Sequence, residues 1–118
     1  MTERAADPAD ALERWRADHR AIVVDLGRQL SEVATRAATG QPPVEEQGRA
    51  FQACLAAVVR LPPVPDDDVA ASLASALRLI GEFMYAQRVD VNNDPDRNAA
   101  VAAQAAAELA AVVGSAER

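Results

Sequence analysis

The chain reads as all-α, a four-helix up-down-up-down bundle with a long first helix, and three observations predict it. Apolar residues recur at steps of three and four in four separate stretches. Proline or glycine clusters punctuate the joins between those stretches. Aromatics make up only 3% of the chain, while alanine supplies much of the hydrophobic half. Alanine favours helix and adds little buried area. Such a core is thin and aliphatic, suited to helices packed closely through small side chains.

The first helical stretch begins at Asp7-Pro8-Ala9-Asp10. Asp7 suits an N-cap, Pro8 the first helical position, and Asp10 the positive end of the dipole. The stretch runs to about Ala38 and stops at Thr39-Gly40, before Gln41-Pro42-Pro43. Its apolar stripe is Leu12, Trp15, His19, Ile22, Leu26, Leu30, Val33 and Ala37. The second runs from about Val44 to Arg60, with Phe51, Cys54, Leu55, Val58 and Val59 as its stripe. Leu61-Pro62-Pro63-Val64-Pro65 ends it, because consecutive prolines cannot continue a helix. The third starts at Asp66-Asp67-Asp68 and runs to about Arg88 on Val69, Leu73, Ala76, Leu77, Ile80, Met84 and Gln87. The fourth starts at Asn93-Asp94-Pro95-Asp96 and ends at Gly114, on Val101, Ala105, Leu109, Val112 and Val113.

Short connections favour antiparallel neighbours. A chain of 118 residues is one domain's worth. Residues 1–7 and 115–118 are expected to be flexible ends of a single domain spanning 1–118. One length does not fit. A first helix of about thirty residues is roughly 45 Å long, whereas helices nearer twenty residues reach roughly 30 Å. Either the first helix breaks, with Gly27 the natural place, or its overhanging end packs on a second chain. Leu12 and Trp15 carry the stripe into the overhang, so a homodimer is expected.

Eighteen acidic residues against twelve basic ones give a formal net charge of -6. The basic residues are all arginine and are scattered, so direct nucleic-acid binding is not expected. The absence of lysine beside abundant Ala, Arg, Val and Asp fits the coding bias of a GC-rich bacterial genome. No stretch has the length and hydrophobicity to span a bilayer, and no apolar signal region opens the chain. The expected address is cytoplasmic.

The chemical constellations fail one after another. His19 is the only histidine, so the Glu-x-x-His pairs of a di-iron bundle cannot form. Asp90, Asn92, Asp94, Asp96 and Asn98 alternate like the first ligands of a calcium loop. Pro95 stands where that loop turns on glycine, and Val101 where a bidentate glutamate closes it. A polar turn feeding a helix N-terminus is the better reading. Cys54 is the only cysteine, which excludes an internal disulfide, and its apolar neighbours mark an inert thiol. Glu45 and Glu46 suit a helix N-terminus. Neither catalytic residues nor a cofactor or metal site is assigned, and enzyme activity is not expected.

The sequence feature richest in contact-forming residues is Phe83-Met84-Tyr85. Three consecutive helical residues fan over about 200°, so they cannot all enter one core. With Trp15 and Arg88, Phe83 and Tyr85 form the candidate interaction patch, since aromatics and arginine favour interface cores. The expected function is a non-catalytic protein–protein interaction module, an adaptor, regulator or accessory subunit. The alternative is a bundle that holds a small molecule in an apolar interhelical pocket, with His19 or Tyr85 as polar handle.

Overall fold

The computed structural model describes residues 8–41, 44–89 and 95–114. Within them the backbone forms four helices and no strand: α1 (Pro8–Ala38), α2 (Glu45–Val59), α3 (Asp67–Val89) and α4 (Pro95–Val113). Neighbours run antiparallel. Along α1, Trp15, Asp25 and Glu32 meet Pro62, Cys54 and Gln47, in descending order. Arg16 reaches Val112, while Ala34 lies near Ala102.

The helix ends follow the chemistry written in their residues. Past α1, Gly40 takes φ 72°, the left-handed conformation that costs glycine least. The Gly40 and Gln41 amides then donate to the Ala37 and Arg36 carbonyls, the paired bonds of a Schellman stop. Asp66 caps α3, its Oδ1 accepting from the Val69 amide at 3.0 Å. At α2 the N-cap is Val44, which offers no side-chain acceptor; Glu45 and Glu46 in the first turn supply negative charge instead.

The core runs along the bundle axis through Leu26 and Leu30, Phe51 and Val58, Ile80 and Phe83, and Leu109 and Val112. Burying a side chain of this size contributes about 1.5–3 kcal/mol each. Two expected stripes each lose one member. On α1 the buried valine is Val23, whereas Ile22 is 36% exposed; on α2, Val59 is 61% exposed.

The long first helix does not break. α1 passes through Gly27 uninterrupted, and a Cβ there would sit 3.9 Å from Leu109 Cδ1, an ordinary contact. Its N-terminal half finds cover within the chain. α2 is only 15 residues long, but the proline-rich segment that follows it continues alongside α1. A non-helical proline run advances up to roughly 3.1 Å per residue, about twice the rise of a helix. Trp15 is buried against this segment, and its indole N–H donates to the Pro62 carbonyl at 3.0 Å. Leu61 and Val64 pack on the same core. Trp15 therefore needs no second chain to cover it.

On the other flank, Arg16 ties α1 to the end of α4. Its Nε donates to Val112 O at 2.8 Å and its Nη2 to Ala111 O at 3.2 Å. Carbonyls in the last turn of a helix have no intrahelical partner, and a cation there also suits the dipole. Gly114, at φ 80°, ends α4 beneath the guanidinium, where any Cβ would lie 3.2 Å from Arg16 Cζ. Arg16→Ala should lower unfolding free energy by about 1–2 kcal/mol, because two carbonyls lose a charged donor. Urea denaturation measures this. An unchanged midpoint would show that water replaces the arginine without cost.

Candidate functional site: the groove between α2 and α3

The helices pair as α1 with α2, α1 with α4, and α3 with α4. No Cα of α2 comes within 8 Å of one of α3. Packed helix axes normally lie 8–10 Å apart, which brings some Cα atoms closer than that. The fourth seam of the bundle is thus open at backbone level, bridged only by large side chains.

Both walls of this seam carry apolar residues at helical spacing. Val44, Gly48, Gln52, Leu55 and Val59 follow one another at steps of four and three, so they share one flank of α2. The first three line the groove. Across from them, Leu73, Leu77, Gly81 and Met84 share a flank of α3, and Met84 lines the groove. Leu55, Leu73, Leu77 and Met84 are half-buried. Towards the α1–α2 turn the groove deepens into a cavity of about 290 Å³ with Phe51 and Phe83 in its floor. Its polar lining is Arg36, Gln41, Gln47 and Gln52, without a carboxylate.

Two glycines border this seam inside helices. Neither Gly48 nor Gly81 has a neighbour within 4 Å of where a Cβ would stand, and neither has positive φ. Internal packing and backbone conformation therefore require neither. A glycine inside a helix commonly marks a close approach of a neighbouring backbone; the space beside both of these is open instead.

The residues singled out from the sequence separate. Trp15 is 6% and Phe83 1% exposed, both in the core, while Tyr85 is 67% exposed. Two helical steps turn the chain by about 200°, so burying Phe83 forces Tyr85 outwards. Trp15 lies beside Pro62, far along α1 from Val33, which shares the cavity with Phe83. Trp15 and Phe83 thus form no joint surface with Tyr85. The Arg88 side chain lies outside the described residues, as do Asp90, Asn92 and Asp94 of the alternating acidic run. His19 is half-buried with its ring edge-on to Trp15, centroids 5.1 Å apart. Neither His19 nor Tyr85 lines the cavity; Arg36 and the glutamines take the place of a polar handle.

Sequence reasoning missed Arg36, Gln47, Gly48 and Gln52. A signal existed. The apolar arc of α2, from Cys54 through Val58 to Val59, is wider than one neighbouring helix can cover.

Other hollows are less suited to binding. A broad, shallow depression of about 660 Å³ lies over α1 and α2, but its polar groups pair locally: Arg28 with Glu32 at 3.5 Å, and the Gln47 amide donating to Glu32 at 3.3 Å. A third, of about 240 Å³, lies between alanines of α1 and α4. Among the described residues, no group of three His, Cys, Asp or Glu side chains is placed to hold a metal ion. No described helix is long and apolar enough to cross a membrane. Comparison with family models, curated proteins and solved structures finds no match to this chain.

Cys54 faces α1, its Sγ donating to Asp25 Oδ2 at 3.1 Å. Desolvation raises the thiol pKa above its ordinary value, and the bond to Asp25 and that carboxylate's charge raise it further. Arg28, which pairs with Asp25, opposes them. The thiolate is the nucleophile, so alkylation at pH 8 should be slower than for a free thiol. Asp25→Asn removes the negative charge and should move the rate profile to lower pH; superimposed profiles would rule out the carboxylate's influence. Gly48→Ala should raise unfolding free energy by about 0.5–1 kcal/mol, since it adds helix propensity without a clash. A lower melting temperature would show that Gly48 serves internal packing after all.

Proposed function

We propose that this chain is a non-catalytic interaction module, an adaptor or accessory subunit, whose contact face is the open seam between α2 and α3. One observation carries the reading: two helices turn apolar flanks towards each other and do not pack. Val59 and Val44 remain 61% and 40% exposed on that flank. Leaving such side chains wet forgoes stabilisation that a partner would recover. An amphipathic helix laid into a groove is a recurrent way to recover it.

The partner proposed first is a second copy of the chain. Copies related by a two-fold axis present the same patch to one another, so a self-complementary apolar flank suffices. A net charge of -6 on each copy opposes association. The absence of carboxylates from the cavity lining keeps that repulsion away from the contact. Tyr85 and the Arg78–Glu82 ion pair (3.1 Å) on α3 would lie towards the rim, where charged pairs contribute little affinity.

Light scattering coupled to size exclusion tests this directly. The expected mass is twice 12.5 kDa at high concentration. Val59→Asp, at an exposed position, should leave the fold intact and weaken association at least about tenfold, the cost of a carboxylate in an apolar contact. A chain that stays monomeric at high concentration, or a dimer indifferent to Val59→Asp and Leu77→Asp, would refute self-association through this seam.

A further inference from the structure

The flank that α2 turns to the open seam is spaced almost symmetrically about its middle. Gln52 stands midway along the helix, which runs from Glu45 to Val59. Val44 and Val59 lie eight and seven residues from it, Gly48 and Leu55 four and three. In an antiparallel helix pair, residues equally far from the crossing point on opposite sides face each other. A crossing at Gln52 sets each Val44 against the other copy's Val59, and each Gly48 against the other copy's Leu55. Gln52 meets itself. Val44, Gln52 and Val59 are exposed. Nothing lies within 4 Å of a Cβ placed on Gly48, so the longest apolar side chain of the flank has open space to enter. The Gln52 amide offers both donors and an acceptor, so copies related by a two-fold axis satisfy each other reciprocally.

Charge favours the same direction. α2 carries its two carboxylates, Glu45 and Glu46, in its first turn, and Arg60 follows its last. A parallel pair would gather the carboxylates of both copies at one end and align the two helix dipoles. An antiparallel pair opposes the dipoles and brings Glu45 to the other copy's Arg60, both exposed. Glu45 already pairs with Arg49 at 3.0 Å, so the second cation steers orientation more than it strengthens the contact. We infer that the second copy docks α2 against α2, antiparallel, with the two-fold axis at Gln52 and α3 bordering the contact. This rests on self-association through the seam and adds its direction and register. An amide pair on the axis costs affinity relative to leucine but selects one register, because a slip leaves each amide facing an apolar group.

A residue on the axis meets its own copy, so exchanging charge there is decisive. Gln52→Glu and Gln52→Lys chains should each associate at least about tenfold more weakly than the parent, since like charges meet. Mixed in equal amounts, they should regain the dimer mass by light scattering, which also shows that both variants fold. Disulfide trapping reads the direction. In a Cys54→Ser background, Val44→Cys chains should cross-link to Val59→Cys chains at least about tenfold faster than either does to itself. A parent that stays monomeric refutes the seam reading and this one together. A parent dimer weakened by Val59→Asp leaves the seam standing, and the axis at Gln52 is then overturned if either charged variant associates like the parent or the mixture does not recover. Val44→Cys chains that cross-link to themselves as fast as to Val59→Cys chains overturn the antiparallel direction.

Discussion

The whole arrangement depends on covering one side of a 31-residue helix. α1 is roughly 46 Å long at the helical rise, and none of the other helices matches it. The chain solves this asymmetrically. On one flank it follows a short α2 with a proline run, which spans more length per residue than another helical turn would. On the other it lays α4 along α1 and fixes the register with Arg16 on the final carbonyls. The whole molecule measures 62 × 27 × 24 Å, elongated along the direction α1 sets.

Side-chain size then decides where the bundle closes. Ala102 and Ala105 of α4 are buried, and alanine lets helix backbones approach closely. α1 and α3 both pack on α4, so α3 is held to that side of the molecule. Across the remaining seam stand Phe51 and Phe83, among the largest side chains of the core. They stand between α2 and α3, and α2 does not pack on the alanine-rich fourth helix that holds α3. The groove is the geometric remainder of a tight α1–α4–α3 arrangement beside a wide aromatic contact.

Much of this was written in local sequence. The four helices, their stops at Gly40 and Gly114, and the Asp66 cap follow from short-range chemistry, and the structure has each of them. Periodicity also placed most of the stripes, but it fixes a face only to within a residue or so. That is how Val23 rather than Ile22 came to be buried. What spacing cannot show is which neighbour a face meets. The Pro62 carbonyl that receives the Trp15 indole lies 47 residues away and carries no side-chain signature. Phe83 and Tyr85 of the expected patch part for a related reason. Their divergence was legible, but which one turned inwards depended on which neighbours α3 meets, and Phe83 meets the cavity beside Phe51.

The open seam is a departure from self-consistent folding, and such departures concentrate at sites of function. Gly48 and Gly81 each weaken a helix by about 1 kcal/mol relative to alanine, and no internal neighbour requires either. Val59 stands in water one turn from Leu55, although the buried Val58 beside it shows how close the core lies. Gln52 holds an amide on the same flank, where a leucine would improve contact with α3. Each choice costs the isolated chain stability, and the costs fall on the same two flanks. If this were mere tolerance of imperfection, there would be no reason for the deviations to share a face. Open space beside two backbones and exposed apolar side chains fall together on one face, and that coincidence is what supports the proposed contact role.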